Sequence, residues 1–145
     1  MLALALSGCA ASSPVVLAPD LGKSFAHMGG ARICLVGDGW ALEACFEPAF
    51  PSDQEATRVP TECFFFRGRD IQKYFFPSGG PISPLDAERE RLPKSPVIGL
   101  KVSGCDRSTV ATGSSAVFTF SGFAVEGVSY GPIGPVTIDI RGPFP

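Results

Sequence analysis

Val136, Ile138 and Ile140 alternate with Thr137, Asp139 and Arg141, and this period of two recurs along most of the chain. Successive side chains of a strand point to opposite faces, so the alternation describes a sheet with one face buried. Glycine (17) and proline (14) punctuate the 145 residues between these runs, as expected of strands joined by tight turns. Arg32-Ile33-Cys34-Leu35-Val36 reads as a strand, Gly37-Asp38-Gly39 as a turn, and Leu42 to Glu47 as its return. Thr61 to Phe66 and Ile71 to Phe76 form a second expected hairpin around Arg67-Gly68-Arg69-Asp70. Phe64 and Phe66 fall on one face of that strand and Phe65 on the other, so both faces should be covered. Further strands are expected over Val97 to Ser103, Ala116 to Ser121, Phe123 to Val128 and Val136 to Arg141.

Pro77 to Pro96 breaks the alternation. One short helix is expected inside it, with Ser83 as N-cap, Pro84 at N1 and Asp86 at N3. The fold class is therefore all-β, an antiparallel β-sandwich or barrel of about eight strands with one short helix. The length suits a single domain, and 45% apolar residues supply a core. A formal net charge of −2 gives no electrostatic reason to expect nucleic acid as a partner.

The N-terminus carries a different kind of information. Met1-Leu2-Ala3-Leu4-Ala5 is apolar and runs into Leu6-Ser7-Gly8-Cys9, an aliphatic residue, two small residues and a cysteine. This resembles the lipobox of bacterial lipoproteins. The resemblance implies cleavage before Cys9, a diacylglyceryl thioether on its sulfur and acylation of the new amino terminus. It also implies delivery to the outer membrane, facing the periplasm, since Ala10 is not the Asp that favours inner-membrane retention. The first basic residue is Lys23, and the run Leu2 to Leu6 is shorter than the roughly 7–15 apolar residues of an export signal. The start of translation is accordingly expected upstream, with Met1 internal. Residues 1–8 then read as the end of a signal, 9–24 as a lipidated flexible tether, and 25–145 as the folded domain.

With Cys9 set aside, Cys34, Cys45, Cys63 and Cys105 remain, an even number that suits an oxidising compartment. Three pairings are open. Cys34–Cys45 and Cys63–Cys105 are favoured because the first two flank a turn; four separate buried thiols is the alternative. No C-x-x-C pair occurs, so no metal site is expected, and no cofactor is implied.

Two motifs fail their structural requirements. Gly127-Val128-Ser129-Tyr130-Gly131 matches the spacing of a nucleophile elbow, but Pro132 and Pro135 follow where a helix must begin. The only histidine, His27, precedes Ser129 in the chain; it reads as a surface or packing residue. Arg32 to Leu42 resembles half of a dinucleotide fingerprint, with Leu42 obstructing the position of the third glycine.

The functional expectation is a membrane-anchored, non-enzymatic binding or assembly module whose partner is another envelope protein or the cell-wall polymer. Trp40, Arg67, Arg69 and Lys73 are the candidate contact residues, since Trp and Arg are favoured interface anchors. The preferred reading of these residues is a solvated hairpin tip with an inward Trp40. An exported hydrolase inhibitor and a small β-scaffold enzyme using carboxylates are the functional alternatives.

Overall fold

The computed structural model describes residues 13–27, 32–47, 57–69, 71, 92–104 and 115–141. The strands among them are β1 (Phe25–His27), β2 (Arg32–Gly37), β3 (Trp40–Cys45), β4 (Thr57–Arg58), β5 (Glu62–Arg67), β6 (Lys94–Pro96), β7 (Val102–Gly104), β8 (Ser115–Phe120), β9 (Phe123–Val125), β10 (Val128–Tyr130) and β11 (Ile133–Arg141). Nine of them form one sheet in the order β4-β7-β8-β11-β1-β2-β3-β5-β6, and β9 with β10 forms a second, small sheet. The large sheet curls into a half-barrel, and the described residues are nearly all-β. Its strands pair antiparallel except β1 and β11, which run parallel with Phe25 opposite Asp139 and His27 opposite Arg141.

The half-barrel needs β11 to bend, and a local irregularity supplies the bend. The pairing of β11 with β8 shifts register between Ile133 and Val136. Gly134 sits in that shift at φ 113°, where a Cβ would meet the Phe118 carbonyl at 2.7 Å. A bulge of this kind increases local twist and turns the strand around the core.

Period-two patterning then decides which side chains meet. Ile33 and Leu35 of β2, Leu42 and Ala44 of β3, Phe65 of β5, Phe118 and Phe120 of β8 and Ile138 and Ile140 of β11 all join the main core. The small sheet closes over it, contributing Phe123, Val125 and Tyr130. The opposite face of β1, β2, β3 and β5 holds a second cluster of Phe25, Cys34, Val36, Ala41 and Phe66, with Ile71 packed on it. The aromatic strand Phe64-Phe65-Phe66 is covered on both sides, as its pattern requires.

Several expectations are corrected. β5 does not pair with Ile71 to Phe76: over Phe64–Phe66 one edge belongs to β3 and the other to Lys94–Pro96. A sheet edge ending in Lys and Pro is a protected one, which explains why this short strand can stand outermost. The expected Val97 to Ser103 strand is broken. Ile98 crosses to the small sheet, exchanging backbone bonds with Ala124, and β7 begins only at Val102. The helix expected from Ser83 lies outside the described residues.

The segment read as tether is bound to the domain from Val15 onward. Val15 donates to the Ser129 carbonyl at 2.9 Å and accepts from Gly131 at 2.8 Å, adding itself to the edge of β10. Leu17 packs against the main core, and Asp20 donates to the Val36 carbonyl at 2.7 Å. Ser24 is fully buried, its hydroxyl accepting from Val36 N–H at 3.0 Å. Small, uncharged residues suggest a free coil; backbone pairing, which needs no particular side chain, overrides that reading.

Candidate functional site

The turn Asp38-Gly39 joins β2 to β3, with Gly37 paired to Trp40 and Gly39 at φ 77°. Gly39 stands third in this turn, where a positive φ favours glycine. Beside it β5 runs out through Arg67, which pairs with Trp40, and Gly68 donates its N–H to the Gly39 carbonyl at 3.0 Å. The turn around Asp38 and the loop around Gly68, which adjoin the candidate residues Trp40, Arg67 and Arg69, therefore lie side by side.

Trp40 is not presented to solvent there. It is 7% exposed and stacks on Phe65 with ring centroids 6.0 Å apart. Its indole lies over Gly37, close enough that a Cβ on Gly37 would meet Nε1 at 2.1 Å. Burial agrees with the inward reading of Trp40 and not with an exposed anchor: two apolar rings gain more from each other than an exposed indole gains from water. Arg67 lies at the rim, and half of its side chain is exposed. Arg69 is exposed as well, and Lys73 lies outside the described residues.

Phe65 organises this end of the molecule. Tyr130 and Phe123 approach it at 5.2 and 6.3 Å, and Phe123 stacks on Tyr130 at 5.1 Å. The Arg67 guanidinium lies 5.3 Å above the same ring, donates from Nη2 to the Tyr130 hydroxyl at 3.1 Å, and stands 3.9 Å from Glu126. Ser95 donates to the same Glu126 carboxylate. One arginine thus ties β5 of the half-barrel to the β9–β10 hairpin over an aromatic base. Around it the exposed charges of the described residues are mixed, Arg67 and Arg69 against Asp38 and Glu126, so among the described residues neither sign prevails.

A second polar group lies on the opposite face and is missed by sequence reasoning. The register aligns Arg141, His27, Arg32 and Cys45 across β11, β1, β2 and β3. Arg32 Nη1 donates to Glu43 Oε2 at 3.0 Å, and Glu43 is 7% exposed. His27, expected at the surface or in packing, is buried edge-on against Phe25 with centroids 5.3 Å apart. A signal for the Arg32–Glu43 pair exists, because both lie on one face of the β2–β3 hairpin once its turn is fixed. None exists for the position of His27, which depends on pairing with β11 more than a hundred residues away.

The favoured Cys34–Cys45 bridge is not formed, and both residues carry thiols. Cys34 pairs with Glu43, and Cys45 with Arg32, leaving the two cysteines diagonal on the hairpin. Diagonal Cβ atoms stand about 7 Å apart. A disulfide requires about 4 Å. Cys63 carries a thiol, and its proposed partner Cys105 lies outside the described residues. Burial first, then the neighbouring Cys45 and Glu43, push the Cys63 thiol far above its ordinary range.

Gly127 to Gly131 is a hairpin, not an elbow. Glu126 and Gly127 make the turn at φ 49° and 80°, Ser129 lies exposed within β10, and β11 follows at Ile133. No protein-family model matches the chain, and no curated protein or solved structure is similar enough to guide its interpretation.

Proposed function

We propose that the chain is a lipid-anchored module of the bacterial envelope, held by Cys9 in the outer membrane and working by surface recognition without chemistry of its own. The recognising element is the edge made by Asp38, Gly39, Gly68 and Arg69, and its partner is another envelope protein. The observation that carries this reading is the construction of that edge. Two adjacent tips are bonded to each other through Gly68 and Gly39 and rest on the Trp40–Phe65–Tyr130 stack. A surface fixed in this way loses little conformational entropy on binding, which favours recognition by shape and paired charge. The anchor rests on the resemblance of Leu6-Ser7-Gly8-Cys9 to a lipobox.

The test uses exposed residues, because Trp40 belongs to the core and Arg67 is part of the aromatic base. Asp38→Lys and Arg69→Glu, introduced together in the full-length protein, reverse the charges of the edge while leaving its stack in place. A partner captured from envelope extracts by the native protein should be lost by the double variant, with the thermal unfolding midpoint unchanged. Equal capture by both proteins removes this edge as the recognition surface. If the native protein slows lysozyme or a protease at stoichiometric amounts, and the double variant does not, the partner is a hydrolase and the module an inhibitor.

A further inference from the structure

We propose that the domain does not stand off the bilayer but rests on it, through an apolar contact made by Val15, Val16 and Val128. The inference deepens the lipid-anchor reading and rests on it for the choice of occupant. Its first ground is the length of chain available. Val15 is fixed to β10 by bonds with Ser129 and Gly131, so only residues 10–14 separate Cys9 from the folded body. From Cys9 to Val15 the chain reaches about 20 Å when fully extended at ~3.3 Å per residue. A domain held that closely keeps the β10 edge at the height of the lipid headgroups.

The second ground is what that edge exposes. Val16 is 83% exposed, Val15 44% and Val128 41%. Val15 and Val16 lie on the segment that leads to the anchor, and Val128 directly precedes the Ser129 that Val15 bonds. Apolar side chains on an anchored surface gain by entering the boundary between headgroups and acyl chains. Charge does not supply the attraction, because Glu126 lies two residues from Val128 and the neighbouring arginines are matched by acids. The contact should therefore be insensitive to salt.

Recognition is constrained by the same geometry. Pro19 bridges to Gly37 at the foot of the Asp38–Gly39 turn, four residues after Val15. Pro19 then lies within about 14 Å of Val15 at ~3.4 Å per residue, and Gly37 one strand spacing of about 5 Å further, which puts the recognition edge within about 25 Å of the bilayer contact. The partner must present its surface at that same level, close to the membrane.

The full-length chain carrying Cys9→Ser, which cannot be acylated, is mixed with vesicles of phosphatidylethanolamine containing a minor fraction of phosphatidylglycerol, at millimolar lipid. It should sediment with the vesicles, equally at low and high salt, and Val16→Asp should weaken the partition by about tenfold. Absence of partition, partition unchanged by Val16→Asp, or partition abolished by salt overturns the proposed contact. The anchor is read separately, from the intact mass of protein purified from the native envelope. An acylated Cys9 with no valine-dependent partition sinks the docking surface alone. A bare Cys9 with valine-dependent partition sinks the anchor alone.

Discussion

Arg67 and Tyr130, 63 residues apart in the chain, meet through a hydrogen bond of 3.1 Å from the guanidinium to the phenol. The same guanidinium covers Phe65, so a single side chain closes the aromatic base and joins the half-barrel to its small sheet. Its contact with Glu126, at 3.9 Å and largely in solvent, adds little. Arg67→Ala should destabilise the protein by about 1–2 kcal/mol, from the lost bond and the lost cation–π contact. The loss should be local in its first effects. Hydrogen exchange should quicken over Phe123 to Tyr130 before it changes in β2 and β3. Equal acceleration in both sheets would mean that Arg67 does not hold the small sheet down.

Gly37 and Trp40 make the tightest side-chain constraint at the recognition edge, since a Cβ on Gly37 would fall 2.1 Å from the indole nitrogen. Gly37→Ala should cost about 2–3 kcal/mol, as overpacking of a rigid site does. Trp40→Ala removes both the obstruction and a large buried ring, costing about 3–5 kcal/mol by itself. Combined, the two substitutions should cost no more than Trp40→Ala alone. Urea unfolding of the four proteins measures that coupling. Strict additivity would show that the indole is not what excludes a side chain at position 37.

The alternation that places Val136, Ile138 and Ile140 inside is a local property, and so is the Asp38-Gly39 turn; both are legible in the amino-acid order alone. So is the need to cover Phe64 and Phe65 on opposite faces. What is not legible depends on partners far away in sequence. Nothing in Phe25-Ala26-His27 announces that it will slot between β2 and a parallel β11. The pairing of Lys94–Pro96 with β5 is equally remote, and a local hairpin through Ile71 to Phe76 competes with it on paper because loop closure favours near neighbours. At the candidate site the two turns and the inward Trp40 are readable, whereas the adjacency of the tips depends on the pairing of β3 with β5, which sets Trp40 opposite Arg67. The chain from Val15 to Ser24 misleads for a related reason. Its composition is that of a linker, but its amides and carbonyls meet β10 and β2, and composition carries no record of that.

Arg32 and Glu43 form an ion pair at 3.0 Å on the sheet face opposite the main core, with Glu43 the more deeply buried partner. Removing the cation leaves a carboxylate with little water to solvate it. Arg32→Met should therefore destabilise by about 2–3 kcal/mol, more than an exposed pair would give. Arg32→Met with Glu43→Leu should recover most of that loss, because two apolar groups of similar size need no compensation there. Denaturant midpoints at neutral pH decide the matter. A double variant no more stable than Arg32→Met would mean that the pair is not the reason for the loss.

Cys63 provides the pH test. Burial is the chief cause that lifts its thiol well above the ordinary value of 9.0, followed by the nearby Cys45 and Glu43. In the unfolded chain the thiol ionises from about pH 9; in the folded chain it keeps its proton. Above that pH the native state binds more protons than the unfolded state, so stability must fall as pH rises. Below it the contribution is complete and flat. The limiting slope for one proton is about 1.4 kcal/mol per pH unit, and partial exposure of the side chain reduces it to about 1 or less. Cys63→Ala should flatten the stability profile between about pH 9 and 10.5 relative to the native protein, the difference isolating this thiol from other titrating groups. Its chemistry follows the same cause. Because the thiolate is the reactive form, iodoacetamide should modify Cys63 at least tenfold more slowly in the folded protein than in urea at the same pH. Equal rates in the two states, or parallel stability profiles for the two proteins, would show that the thiol is not held protonated by the fold.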